Sequence, residues 1–262
     1  MSDPQSPAAV VEVGDGAAIP LRSDHGLFTA WRIAFFGAIG ALAGLALFKP
    51  DPYRAILRFL PDGLIVTFEV TFGAIALALA IGLVAGLGRV SRNRLVNGCA
   101  SLYVEVIRGI PLLVQIFYIY YALGRFVKVP PLASAIVAMA FCYGAYIGEV
   151  VRAGIQSIPK GQSEAAHALG MTRAQALRHV ILPQAFRVIL PPIGNEFIAL
   201  LKDSSLVSII AVADLLRRGR EFASESFAYF ETYTVIALVY LVITLFFSKL
   251  IGLLEERLHD GR

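Results

Sequence analysis

Residues 73–94, GAIALALAIGLVAGLGRVSRNR, decide the fold class of this 262-residue chain. Every residue from Gly73 to Leu87 is glycine or apolar, and three arginines follow at positions 89, 92 and 94. With the mostly apolar residues from Leu64 onward, the run is long enough to cross the roughly 30 Å hydrocarbon core of a bilayer as an α-helix. The arginines end the run abruptly, as basic residues do at a membrane surface. This stretch therefore predicts a membrane-spanning helix.

The composition of the whole chain agrees with that prediction. Hydrophobic residues make up 57% and charged residues 16%, and the mean hydropathy is +0.71. An average soluble domain is about 45–50% apolar and about 25% charged, so a soluble, disordered or collagen-like protein is excluded. The net charge of +4 is explained by Lys and Arg in membrane-surface loops, and no nucleic-acid partner is expected. The chain is predicted to be an integral membrane protein.

Six apolar segments along the chain are long enough to be membrane spans. They cover residues 31–48, 64–87, 95–124, 129–148, 186–213 and 233–254. Gly109 and Pro111 should break or kink the third span, and Lys202-Asp203 interrupts the fifth. An even number of spans puts both termini on one side, and the Lys and Arg count favours the cytoplasm for that side. We therefore expect an all-α integral membrane protein with about six transmembrane helices.

The most informative polar segment is residues 149–185, between the fourth and fifth spans. Pro159 predicts a turn, after which residues 162–169 can form a short helix. Gly170 follows where a helix end favours a residue free to take positive φ. Thr172 and Gln175 have the spacing of a capping box that starts a second helix, and Pro183 should limit that helix. The pattern predicts two short helices joined by a tight glycine turn.

The amino-acid sequence of this segment resembles that of a known family. Glu164-Ala165-Ala166, then Gly170, then Val180-Ile181-Leu182-Pro183 resembles the EAA loop of ABC-importer permeases, with Val180 in place of the family's Ile. The segments YVEVIRGIPLLVQ at 103–115 and GNEFIALLKDSS at 194–205 look like the polar amino-acid uptake branch of those permeases. The resemblance covers about residues 60–255.

The resemblance implies an organisation of the chain. Its fold would be the five-helix core of a type I importer permease, with one extra N-terminal span at 31–48. Residues 1–30 would be a loose tail, 60–255 the permease transmembrane domain with its coupling loop at 149–185, and 256–262 a C-terminal tail. The chain would lie in the bacterial cytoplasmic (inner) membrane.

The resemblance also implies partners. The coupling helix would dock on an ATP-binding subunit dimer, and the residues that match the motif are Glu164, Ala165, Ala166, Gly170, Leu182 and Pro183. The chain contains no GxxxxGK[ST] loop, so ATP and Mg would belong to the partner ATPase, and no cofactor or catalytic residue is expected here. A second permease, of the same or a different chain, and an extracytoplasmic amino-acid-binding protein would complete the importer.

Polar and ionisable side chains within the spans are candidates for the substrate pathway. They are Glu105, Arg108, Gln115, Tyr143, Asn195, Glu196, Lys202 and Asp203. Glu105 and Arg108 lie three residues apart and could be a structural pair or face a substrate. Glu196, Lys202 and Asp203 follow Pro191-Pro192, where the helix is expected to unwind, and offer both signs of charge to a zwitterionic amino acid. The alternative is an internal salt-bridge network.

Two other functions compete with an ATP-driven amino-acid importer. An ion-coupled secondary transporter would also bury Glu196, Lys202 and Asp203 but would need no ATPase, and the EAA spacing argues against it. An intramembrane enzyme would need a metal or nucleophile motif such as HExxH, and the sequence has none.

The sequence leaves open which amino acid is carried. Cys142-Tyr143 stands where related permeases often have Asn-Ser before Gly-Ala-Tyr, which removes small polar groups from the expected pathway.

Overall fold

A computed structural model describes residues 10–12, 18–20 and 29–260 of the chain. Most of the predicted loose tail lies outside these residues; within it, strands β1 (Val10–Glu12) and β2 (Ala18–Pro20) pair antiparallel. The rest of the described chain is helical. The α-helices are α1 (Ala30–Phe48), α2 (Pro50–Phe59), α3 (Pro61–Arg89), α4 (Arg94–Gly109), α5 (Leu112–Phe117), α6 (Pro131–Gln156), α7 (Lys160–Ala168), α8 (Arg173–Ala176), α9 (Leu182–Asp203), α10 (Leu215–Ser226) and α11 (Tyr229–Asp260).

The membrane-spanning character of these helices agrees with the predicted class. In the described part of the chain, α1, α3, α6 and α11 are each long and apolar enough to cross a membrane. A fifth span is formed if α4 and residues 112–125 are taken together across a bend of 103°, which confirms the predicted break at Gly109 and Pro111. The fifth predicted span, residues 186–213, falls mainly on α9, whose 22 residues include four charged side chains. Helix α9 is not among the described helices that are apolar enough to cross a membrane, so five of the six predicted spans are matched. The prediction of an all-α multi-span membrane protein is confirmed.

Glycines allow α3 and α6 to pack closely at the centre of the molecule. A Cβ added at Gly82 would lie 2.5 Å from Cγ2 of Ile147 and 3.0 Å from the carbonyl oxygen of Gly144. One turn further along α3, a Cβ added at Gly86 would lie 2.5 Å from Cβ of Val151. Such small-residue contacts stabilise helix pairs inside bilayers, where apolar burial gives little net driving force. The α3–α6 pair is the frame on which the other helices are arranged.

The prolines of α9 do not have the effects expected from the sequence. Pro183 was expected to end a helix, but it lies in the first turn of α9, directly after a π-helical turn at Leu177–Ile181. A proline is tolerated there because its missing N–H has no intrahelical partner to lose. Pro191 and Pro192 were expected to unwind the span, yet α9 remains helical through both. Side chains of α9 are therefore placed by helical geometry and not by an unwound segment.

The N-terminal helices dock against the last span. The indole Nε1 of Trp31 donates a hydrogen bond of 2.9 Å to the carbonyl oxygen of Leu245 in α11. Helix α2, which the sequence did not predict, buries Tyr53 and Ile56 in an apolar cluster with residues of α10 and α11. Apart from these contacts α1 is exposed along most of its length, with Ala38 as its buried residue. The extra N-terminal segment is thus attached to the outside of the helix bundle.

The basic segment Arg217-Arg218-Gly219-Arg220 lies on helix α10, also unpredicted. Asp214 caps this helix by accepting hydrogen bonds from the backbone N–H groups of Leu216 and Arg217, as N-cap carboxylates commonly do. The guanidinium of Arg218 lies 4.3 Å from the ring centroid of Phe59. Helix α10 is therefore fixed to the N-terminal helices.

Candidate functional site

The loop between α6 and α9 folds as the sequence predicts. Helix α7 ends in a Schellman motif, in which the N–H of Met171 donates to the carbonyl of Ala166 and the N–H of Gly170 donates to that of His167. Gly170 has a φ of +80°, the left-handed conformation that glycine adopts at little cost. Both hydrogen bonds of the capping box between Thr172 and Gln175 are present. The glycine turn and the capping box are confirmed.

Exposure separates the EAA-motif residues into two groups. Glu164, Ala165 and Gly170 are exposed, as a docking surface requires. Ala166 is 3% exposed, so its side chain does not belong to this exposed surface. Leu182 packs against the main apolar core and Pro183 is exposed at the start of α9. Leu169, which the sequence analysis missed, exposes 80% of its surface beside Gly170.

Replacing Gly170 with valine should destabilise the turn. A β-branched residue resists positive φ, and the left-handed conformation costs an L-residue about 1–2 kcal/mol. Gly161→Val is the matched control, because Gly161 lies in helix α7 and nothing is within 4 Å of an added Cβ. We expect limited proteolysis to cut the 169–172 turn faster in Gly170→Val than in Gly161→Val. Equal rates would contradict the role of the turn.

A polar cavity lies where the α4–α5 break meets α6 and α9. Its volume is about 450 Å³, within the roughly 300–1,000 Å³ typical of small-molecule sites. The broken segment contributes its backbone and side chains from residues 108–112 to one wall. Side chains with polar atoms that line the cavity are Arg108, Cys142, Tyr143, Tyr146, Glu196 and Asp203. The break in the third span thus opens a site inside the bundle.

Gln115 holds the broken segment in place. Its buried Nε2 donates to the carbonyl oxygens of Ile107 and Ile110, each at 2.8 Å, and lies 3.6 Å from Sγ of Cys142. These carbonyls belong to the end of α4, where the intrahelical bonds stop. Gln115 was predicted to lie in the substrate pathway, but its amide nitrogen is hydrogen-bonded to backbone carbonyl oxygens. Its position makes it a support for the break.

The charged groups of the cavity have both signs. The guanidinium of Arg108 lies 5.0 Å from the ring centroid of Tyr146, a distance at which a cation is attracted to an aromatic face. On the other side, the hydroxyl of Tyr143 donates a hydrogen bond of 2.8 Å to Oδ2 of Asp203. Glu196 lies on the same wall as Asp203. A small zwitterion could therefore meet a cation and two carboxylates in one cavity.

None of the three predicted ion pairs is formed among the residues whose side chains the structure describes. Glu105 does not pair with Arg108, because its Oε1 lies 3.9 Å from the guanidinium of Arg89. Arg89 also holds Glu149 at 2.5 Å, so it connects the ends of α3, α4 and α6. Within residues 29–258, whose side chains the structure describes, no ion pair joins Lys202 to Glu196 or Asp203.

Lys202 and Asn195 do not line this cavity. Both are exposed, and helical spacing explains why. Glu196 and Asp203 are seven residues apart, about two turns, and share a face of α9. Lys202 is one residue before Asp203 and therefore points about 100° away. Arg108 is the cation of the cavity, and the 3.6-residue period of α9 was the signal that could have excluded Lys202.

Tyr146 is the cavity residue that the sequence analysis missed. It follows Tyr143 by three residues on α6, so both rings lie on one helix face, and their centroids are 6.0 Å apart. The three-residue spacing of Tyr143 and Tyr146 is the sequence signal that could have identified Tyr146.

Known proteins share both the sequence and the fold. Residues 78–260 match the family described as binding-protein-dependent transport system inner membrane component. The glutamine transport system permease protein GlnP of Escherichia coli (strain K12) is 40% identical over 205 residues, which cover 77% of this chain and 94% of that protein. The L-cystine transport system permease protein TcyB of Bacillus subtilis (strain 168) is also 40% identical, over 76% of this chain and 86% of that protein.

A solved structure supports the same assignment. A chain in the crystal structure of an amino acid ABC transporter with histidines superimposes with a TM-score of 0.74 at 44% identity, covering 81% of this chain and 97% of that chain. The sequence match, the spans and the coupling-loop geometry agree. The chain belongs to the family of binding-protein-dependent transport system inner membrane components, as a multi-pass permease of an ABC importer.

Proposed function

We propose that this permease carries a polar amino acid through the cavity between the α4–α5 break, α6 and α9. The names of its relatives, which include glutamine and L-cystine permeases, support an amino acid as the substrate class. The observation that carries the proposal is the opposed charge of the cavity, with Arg108 on one wall and Glu196 and Asp203 on the other. Arg108 would bind the α-carboxylate and the carboxylates would bind the ammonium group.

The energetics of a partly dehydrated site favour this arrangement. An uncompensated charge in such a site costs several kcal/mol, so each end of a zwitterion needs a partner. The hydrogen bond from Tyr143 to Asp203 holds that carboxylate in a fixed position before any ligand arrives. Preorganisation of this kind lowers the ordering cost of binding.

Reconstituted transport would test this function against its alternative. The permease would be placed in proteoliposomes with its ATP-binding subunit and binding protein, and uptake of a panel of labelled amino acids would be measured. We expect uptake only when ATP is supplied on the side of the ATPase. Uptake driven by an ion gradient without ATP would establish the secondary transporter instead.

We further propose that the loop at 149–185 couples this permease to an ATP-binding subunit dimer. Glu164, Ala165 and Leu169 present one carboxylate and an apolar surface on or beside α7, which suits a cleft with a basic contact. ATP and Mg would be held by that partner. The loop and both termini would lie in the cytoplasm. Residues 60–255 would be the transport domain and residues 31–48 an added span. A second permease, of the same or a different chain, would complete the pore.

Glu164→Lys should uncouple the complex. The partner's basic contact would then face a like charge, which is destabilising, while the exposed position of Glu164 leaves the membrane fold intact. We expect co-purification of the ATP-binding subunit and its stimulated ATP hydrolysis to fall at least about fivefold, near 1 kcal/mol.

Glu225→Lys is the matched control for this charge reversal. Glu225 is also an exposed carboxylate, but it lies on α10, whose ends are remote in sequence from the coupling loop. We expect this variant to behave as wild type. Wild-type stimulation in Glu164→Lys would refute docking through this residue.

A further inference from the structure

A second polar cavity lies between the coupling loop and the ends of the transmembrane helices. Its volume is about 520 Å³, and it is bounded by the α3–α4 turn, the end of α6, α7 and α8. We call it the basic cavity, after the cationic side chains that line it, Arg92, Lys160 and Arg173. It shares no lining residue with the polar cavity between the α4–α5 break, α6 and α9.

The three cations of the basic cavity come from three different elements. Arg92 lies in the α3–α4 turn, Lys160 begins α7 and Arg173 begins α8. None of the side chains lining the cavity is a carboxylate. Throughout residues 29–258, none of the three takes part in an ion pair within 4 Å. Like charges gathered around one concave space repel each other and attract an anion.

Hydroxyl and imidazole groups add further hydrogen-bonding capacity. Ser91 and Ser163 line the cavity beside the cations. The Nδ1 atom of His167 lies 2.9 Å from the carbonyl oxygen of Met171. A carbonyl only accepts, so Nδ1 carries the hydrogen and Nε2 is free of that bond. Guanidinium, ammonium and hydroxyl donors together are the groups that bind phosphate oxygens.

We propose that the basic cavity binds a phosphate-bearing anion, either the headgroup of an anionic lipid or a soluble phosphate. Its position beside the ends of α3 and α6 suits a headgroup, and its open side also admits a solute. Phosphate oxygens shared among Arg92, Lys160 and Arg173 would tie the loop to the ends of α3 and α6. The anion would thereby stabilise the position of α7 relative to the membrane domain, whatever substrate the permease carries.

Binding can be measured on the full-length permease alone, without its transport partners. Titration calorimetry in detergent with inorganic pyrophosphate would test the soluble source. Thermal unfolding in nanodiscs of phosphatidylcholine, with and without added phosphatidylglycerol, would test the lipid source. We expect saturable binding of pyrophosphate or a rise in Tm with phosphatidylglycerol, and either result would support the proposal and identify the source.

The triple variant Arg92→Gln/Lys160→Gln/Arg173→Gln should remove the effect. We expect its pyrophosphate affinity to fall at least about tenfold, or its Tm rise with phosphatidylglycerol to disappear. The matched control is Arg94→Gln/Arg178→Gln, which removes exposed cations of the same loops that do not line the cavity. This control should retain the wild-type response.

Three results would overturn the proposal. One is the absence of any response to pyrophosphate and to phosphatidylglycerol in the wild type. Another is an equal loss in the control variant, which would show general attraction to a basic surface. The third is a triple variant that keeps the wild-type anion response, which would show that these cations do not bind the anion. Because anion binding is measured without transport, its failure would leave the amino-acid function untouched.

Discussion

Arg108→Gln should lower amino-acid uptake while leaving the assembled importer intact. Arg108 is the cation that lines the cavity opposite Glu196 and Asp203. Without it the substrate carboxylate would enter a site whose remaining charges are both negative. Arg108 is exposed in the described chain, so solvent screens part of its interaction with a bound carboxylate, and the loss should be near the upper end for exposed ion pairs, about 1 kcal/mol. We therefore expect uptake in proteoliposomes to fall about fivefold.

Lys202→Met provides the comparison for Arg108→Gln. It also removes one exposed cation, but from a position outside the cavity, so its uptake should stay near wild type. Co-purification with the ATP-binding subunit, measured for both variants, separates a transport defect from failed assembly. A reversal of the two uptake results would return the carboxylate contact to Lys202 and remove Arg108 from the pathway.

Gly86→Val should prevent the membrane domain from folding. Besides its approach to Val151, a Cβ at Gly86 would lie 2.8 Å from the carbonyl oxygen of Gly148. A backbone atom cannot rotate away as a side chain can, so α3 and α6 would have to separate. Overpacking of a well-packed core costs about 1–3 kcal/mol, and here the whole helix interface would be disturbed. We expect the monodisperse yield in detergent to collapse and the Tm to fall.

Gly40→Val is the control for this substitution. Gly40 also lies in a membrane-spanning helix, but nothing is within 4 Å of a Cβ added there. Both changes add the same β-branched side chain to a helix, so their difference isolates the contact between α3 and α6. Comparable yields and Tm values for the two variants would contradict the importance of that contact.

Local signals predicted the structure well where the chain's own neighbours decide it. The apolar run ending at Arg89 predicted α3, and Thr172 with Gln175 predicted the start of α8. Gly170 marked a turn that its positive φ confirms. In each case the deciding interactions lie within a few residues of each other, so the sequence pattern contains them.

Predictions failed where distant parts of the chain compete for the same group. Glu105 turned to Arg89, which lies on α3, and not to the neighbouring Arg108. Arg108 in turn meets Tyr146 of α6, a contact that no spacing in the sequence encodes. Pro191 was expected to unwind α9, but the helix continues through it. Local rules gave the elements, and tertiary contacts selected which charges share the cavity.

The hydrogen bond between Trp31 and Leu245 has a consequence for biosynthesis. Its partners are 214 positions apart in the chain, and a ribosome makes the N-terminal partner first. Helix α1 is therefore made before its docking partner α11, and it lies among lipids until α11 has been inserted. Because α1 is apolar and little of its surface is buried against other helices, it can remain in the bilayer without its partner during that time. Its docking on α11 is therefore possible only after translation has passed Leu245.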